Sequence, residues 1–211
     1  MSALQAEWIK ARTLRSTWWN IALTMVLSIG LSALVCLGLA VAGDSGEDES
    51  VQADALDITL AGYNLGTIVV MVLGIMLVTG EYTNAVVRTT FTAEPRRVRV
   101  FVAKALVLAA ITAVAGLVVA LGSFLIGRAI LETGGLTASL STAGAWRALF
   151  GVSLFFIGAA VFAFVIAALV RNTAMSITIV VVLYLVLPPL TGLIPRWGDD
   201  VIRALPLTSG A

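Results

Sequence analysis

The densest collection of charged and hydrogen-bonding side chains in this 211-residue chain lies between Gly80 and Lys104, which reads GEYTNAVVRTTFTAEPRRVRVFVAK. Glu81, Tyr82 and Thr83 open the segment, Arg88 follows, and Pro95, Arg96, Arg97 and Lys104 close it. Five of the chain's thirteen Lys and Arg residues fall inside it. Such groups suit charge-assisted hydrogen bonds to a protein partner or to lipid headgroups rather than covalent chemistry. Covalent and metal chemistry are short of parts everywhere else. The chain has no histidine, and Cys36 is its single cysteine. Metal sites built on His or Cys clusters, Ser-His and Cys-His nucleophile pairs and an internal disulfide are therefore excluded. The loop Gly43–Asp57 carries six acids (Asp44, Glu47, Asp48, Glu49, Asp54 and Asp57) but lacks the fixed spacing of a calcium loop, and reads as solvated.

What positions these residues is a membrane. The chain is 60% hydrophobic and only 12% charged, with a mean hydropathy of +1.04, well outside the soluble range. Five runs contain no Asp, Glu, Lys or Arg: residues 21–42, 58–79, 105–127, 148–170 and 174–194. Each is long enough for a helix to cross the hydrocarbon, which takes about 20 residues. No alternating ten-residue segments suggest a barrel. The first run is too long for a signal-peptide core of about 7–15 residues and reads as a retained span. The expectation is a single all-α transmembrane domain over residues 1–211.

The charges orient it. Nine basic residues (Lys10, Arg12, Arg15, Arg88, Arg96, Arg97, Arg99, Lys104 and Arg171) share one side, and four (Arg128, Arg147, Arg196 and Arg203) share the other. The positive-inside rule puts the larger set, and with it the amino terminus, in the cytoplasm. The acidic loop 43–57 then lies outside. Residues 1–17 carry Leu4, Trp8, Ala11 and Leu14 as a rough apolar stripe that Glu7 and Arg15 interrupt, and read as an interfacial helix. Trp18 and Trp19 stand where an aromatic anchor belongs. Gly62 and Gly66, and Ala159, Ala163 and Ala167, recur at a spacing that lets helices approach closely. Pro188-Pro189 is expected to break the fifth span after about fifteen residues, leaving 195–211 as an external or re-entrant segment.

Because the spans hold no ionisable group, proton- or ion-coupled transport lacks its usual titratable residues, and energy for active transport must come from elsewhere. No base accompanies Ser28, Ser32, Ser123 or Ser153, so no catalytic residue is assigned. The chain is expected not to be an enzyme and to have no nucleic-acid partner.

On Glu81, Tyr82, Thr83, Arg88, Pro95, Arg96, Arg97 and Lys104, the segment resembles the motif of type-2 ABC exporter permeases. There Glu-Tyr at the end of span two leads through a Thr-x-x-x-x-Arg stretch to Pro-Arg-Arg and a Lys opening span three. The wider plan is similar: a basic amino-terminal helix, a long external loop and a proline-broken span five. Asn84-Ala85 departs from the family's usual His-Gly, and the family's sixth span, expected after the external segment, is missing from this sequence. The resemblance implies that residues 80–104 form a coupling helix seated on a separate ABC ATP-binding subunit. It also implies pairing with a second permease subunit, in the plasma membrane of a bacterium. ATP and Mg would be held by the partner, since this chain has no GxxxxGK[ST]. A membrane-embedded scaffold without transport is the alternative.

Overall fold

A long uncharged run in hydrocarbon can satisfy its backbone only from within, so it must be helical. The computed structural model describes residues 3–42, 55–83, 97–133 and 145–191. Within them the elements are α1 (Ala3–Thr13), α2 (Arg15–Ala42), α3 (Ala55–Leu60), α4 (Tyr63–Thr83), α5 (Arg97–Thr133), α6 (Ala145–Val170) and α7 (Thr173–Thr191). Four stretches are long and apolar enough to cross a membrane: Arg15–Val41, Ile58–Gly80, Arg99–Thr133 and Ala145–Val170. The shorter apolar stretch Thr173–Val186 in α7 accompanies them. Residues 43–54 of the acidic loop, the part of the expected coupling helix between Thr83 and Arg97, and segment 195–211 lie outside the described residues.

Helix α2 packs on α4 and α5, and both of these pack on α6, so the four long helices close into a ring. Helix α7 lies along α4 and α6, while α1 lies against α5. The core within the ring is built from Val70, Met71, Ile75, Leu108, Phe124, Phe156 and Phe164, all fully buried. The small residues do what their spacing suggested. Ala159, Ala163 and Ala167 are buried on one face of α6. Gly74 brings α4 onto Ala160, Gly116 brings α5 onto Ser153, and Gly66 of α4 and Gly62 in the turn before it approach Ser28 of α2. The outer faces stay apolar. Val26, Leu34 and Val41 on α2, and Leu154 and Leu169 on α6, are each more than half exposed, as a lipid-facing surface requires.

Four boundaries differ from those expected. The second span is two helices, α3 and α4, hinged at Ala61-Gly62. The Gly62 amide freed by the hinge donates to Ser32 Oγ on α2 at 3.0 Å, a side-chain replacement for a lost helical acceptor. The external loop expected over 43–57 gives way to helix at Ala55. Helix α5 starts at Arg97, eight residues before the uncharged run that begins at Ala105, and so includes Lys104. Helix α7 continues through Pro188 and Pro189 to Thr191 instead of breaking there. Proline's fixed φ suits a helix; what the pair removes is two N–H donors.

Residues 1–17 are also more divided than their stripe suggested. Helix α1 stops at Thr13, and α2 starts at Arg15. Of the expected stripe only Ala11 turns into the bundle; Leu4, Trp8 and Leu14 remain 46%, 46% and 42% exposed. The inward face of α1 is the one carrying Glu7 and Ala11, one helical turn apart.

Candidate functional site

Those of the singled-out residues that the structure describes fall at one end of the bundle. Asn20 in the first turns of α2 reaches Met76 in the last turns of α4, and α1 packs beside the start of α5. The end of α4, the start of α5 and α1 therefore share that end. Glu81, Tyr82 and Thr83 form the last turn of α4. Arg88, Pro95 and Arg96 lie outside the described residues, and Arg97 is the first residue of α5. The final turns of α4 are anchored from within: Thr79 is buried and its hydroxyl donates to the Ile75 carbonyl at 3.0 Å.

Lys104 is the site residue whose environment the structure defines most fully. It is 4% exposed, and its Nζ donates to Glu7 Oε2 at 2.8 Å. The two side chains retain only 6% and 11% of their accessibility. A buried ammonium needs a counter-charge and hydrogen-bond acceptors to be tolerated at all. Glu7 supplies the counter-charge from α1. Sequence reasoning saw Glu7 only as a flaw in an apolar stripe. The signal that could have found it was that flaw itself, an acid sharing a face with Ala11 and a lysine standing at the edge of an uncharged run.

Two further contacts fix the surroundings of the pair. Trp18 Nε1 donates to the Arg12 carbonyl at 2.9 Å, so the first turn of α2 caps the last turn of α1 across Leu14, where helical carbonyls lack intrahelical donors. One turn before Lys104, the Phe101 ring packs on Phe164 of α6 with centroids 4.7 Å apart. The start of α5 is thus held to α1 on one side and to α6 on another.

At the same end, α6 and α7 are joined by Arg171 and Asn172. Arg171 adopts a left-handed φ of 56°, a conformation ordinarily left to glycine at helix ends. Asn172 then caps α7, its Oδ1 accepting from the Met175 amide at 3.2 Å.

Deeper in the bundle the polar groups join helices to one another. Ser153 Oγ of α6 donates to the Ala113 carbonyl of α5 at 2.9 Å. Tyr184 of α7 donates to Asn64 of α4, with its hydroxyl 3.2 Å from the backbone oxygen and 3.3 Å from the side-chain oxygen. Ser28 Oγ and Ser123 Oγ are buried with no hydrogen-bond partner. Among the described residues no group of three or more His, Cys, Asp or Glu side chains could hold a metal ion. The arrangement is one of closely packed helices with the buried Glu7–Lys104 ion pair at one end.

No curated protein and no solved structure matches this chain. The model of the ABC-2 family transporter protein matches it over residues 3–187, from the first turn of α1 into the last turns of α7. A match over most of the chain's length, on helices packed as described, makes this a multi-pass transmembrane permease of the ABC-2 transporter family.

Proposed function

We propose that this chain is the membrane-spanning subunit of an ATP-driven ABC exporter, and that its segment 80–104 couples hydrolysis in a separate ATP-binding subunit to movement of the spans. The observation that carries the proposal is the position of that segment. Its described ends, the last turn of α4 and the start of α5, lie at the end of the bundle where α1 also lies, and the charge pattern of the sequence assigns nine of the thirteen basic residues to that side. The positive-inside rule makes it the cytoplasmic end, where a soluble ATPase would meet it. The absence of ionisable residues from the five uncharged runs supports the same reading, because it leaves ion-driven transport without its chemistry.

On this reading Glu81, Tyr82, Thr83, Arg88, Pro95, Arg96 and Arg97 face the ATP-binding subunit, which holds ATP and Mg. A second permease subunit completes the transport path. Helix α1 lies in the inner interface of a bacterial plasma membrane. Its half-exposed Leu4, Trp8 and Ile9 reach into lipid, and Arg12 and Arg15 meet headgroups, each cation contributing about 1 kcal/mol. Helix α7, about 28 Å long for 19 residues, serves as a fifth crossing.

The test is co-purification. The chain expressed with its ATP-binding subunit is expected to retain it through detergent extraction. Glu81→Ala or Arg88→Ala is expected to weaken that association or to leave hydrolysis running without transport. A chain that retains no ATPase, with both substitutions silent, would instead support a membrane scaffold.

A further inference from the structure

We propose that Glu7 is a positioning residue of the coupling machinery: by holding Lys104 it makes α1 and the start of α5 a single mechanical body. The proposal rests on the reading of segment 80–104 as the coupling element. Its warrant is the geometry of the pair. Lys104 Nζ and Glu7 Oε2 are 2.8 Å apart, and both side chains are nearly inaccessible. A buried ion pair is a poor source of net stability compared with an apolar pair of equal volume, yet losing one partner is costly. Such a pair is well suited to fixing where two elements sit.

The surrounding contacts show what is fixed. From Arg97 to Lys104 the backbone is continuous α-helix, so seven residues, about 10 Å of helix, connect the end of the coupling segment rigidly to the ammonium. A displacement applied at Arg97 therefore arrives at Lys104, and through the ion pair at Glu7. From there it has a route onward. The far end of α1 is clamped to α2 by the Trp18–Arg12 hydrogen bond at 2.9 Å. The contact of the Phe101 ring with Phe164 gives the same displacement a route into α6. Helix α1 thus bridges α5 and α2, and Glu7 is the charged end of the bridge.

The experiment uses the full chain with Cys36→Ser, in complex with its ATP-binding subunit in lipid nanodiscs, carrying spin labels in pairs. One pair is at Leu4 and Leu106, exposed on α1 and α5; the other is at Leu4 and Met175, which is exposed at the start of α7. With Glu7 present, the Leu4–Leu106 distance is expected to be narrow and unmoved by ATP with orthovanadate, while the Leu4–Met175 distance shifts. Glu7→Gln is expected to keep the ATP-binding subunit, broaden the first distance and abolish the shift in the second. The exchanged pair, Glu7→Lys with Lys104→Glu, is expected to restore both. A Glu7→Gln chain that behaves as the parent overturns the proposal. So does one that broadens the first distance but keeps the ATP-driven shift, since the pair is then merely structural, or an exchanged pair that restores neither. If the parent chain itself retains no ATP-binding subunit, the coupling reading fails and the proposal falls with it.

Discussion

Replacing Gly62 by alanine tests the hinge that divides the second span. A Cβ at position 62 would stand 1.8 Å from the Ser28 carbonyl oxygen and 2.6 Å from Ser32 Oγ. Contacts to a Cβ below 3.0 Å are essentially unknown, so the helices must part by at least 3.0 − 1.8 = 1.2 Å. Ser32 can turn its hydroxyl away, but the Ser28 carbonyl is helix backbone and cannot. The same retreat stretches the 3.0 Å hydrogen bond from the Gly62 amide to Ser32 Oγ past its useful length. Such a bond between membrane helices is worth about 0.6 kcal/mol. Opening a slot of about 1 Å also forfeits a quarter to a half of the dispersion along the α2–α4 seam, within an overpacking cost of about 1–3 kcal/mol. The sum is a loss of about 2–4 kcal/mol. Gly74→Ala is milder, since its Cβ would meet the Ala160 carbonyl oxygen at 2.5 Å and demands a retreat of 3.0 − 2.5 = 0.5 Å. Gly158→Ala is the control: nothing lies within 4 Å, and an alanine inside α6 should be neutral or add about 0.5–1 kcal/mol. The assay is unfolding by SDS titration in mixed micelles, followed by far-UV circular dichroism. The order Gly62→Ala, Gly74→Ala, parent, Gly158→Ala should run from least to most stable. If Gly62→Ala unfolds at the parent's midpoint, or Gly158→Ala falls as far as Gly62→Ala, close backbone approach is not what holds α2 to α4.

Two buried serines should behave oppositely. Ser153→Ala removes a donor to the Ala113 carbonyl and is expected to cost about 0.6–1 kcal/mol in the same titration. Ser28→Ala removes a hydroxyl with no partner and should be neutral or stabilising, because an unpaired buried hydroxyl only carries its desolvation cost. At the α6–α7 connection, Asn172→Ala deletes the cap on the Met175 amide and should cost about 1 kcal/mol. Arg171→Gly relieves a left-handed φ of 56° and should gain a few tenths to about 1 kcal/mol. Hydrogen exchange of the first-turn amides of α7 should accelerate in Asn172→Ala and not in Arg171→Gly.

How far the fold could be read in advance depended on whether the deciding interaction was local. The uncharged runs announced their helices because the absence of charge is a property of each run by itself. The spacing of Gly62 with Gly66, and of Ala159, Ala163 and Ala167, announced close packing for the same reason. The hinge at Gly62 was not legible, since it depends on Ser32 of another helix being at hand to accept the freed amide. Nor was the run of α7 through Pro188 and Pro189, because proline chemistry specifies which donors are lost and not whether the helix bends. For the candidate site, the residues between Gly80 and Lys104 stand out by composition, but the coupling role proposed for them rests only on resemblance to a family.

The pairing of Glu7 with Lys104 spans 97 positions, and no local window contains it. Each member nevertheless broke a local rule. Glu7 sat on the face of α1 shared with Ala11, and Lys104 stood at the threshold of an uncharged run, where hydropathy treats a lysine as a terminus. Helix α5 runs through that threshold, and the lysine is paired with Glu7 rather than solvated. Two charges of opposite sign, each misplaced by its own surroundings and both assigned to the same side of the membrane, are more economically explained by one another than separately. That inference needs only the positive-inside rule and the cost of burying an unpaired charge. It turns the imperfection of the amino-terminal stripe into the clearest indication of where α1 docks.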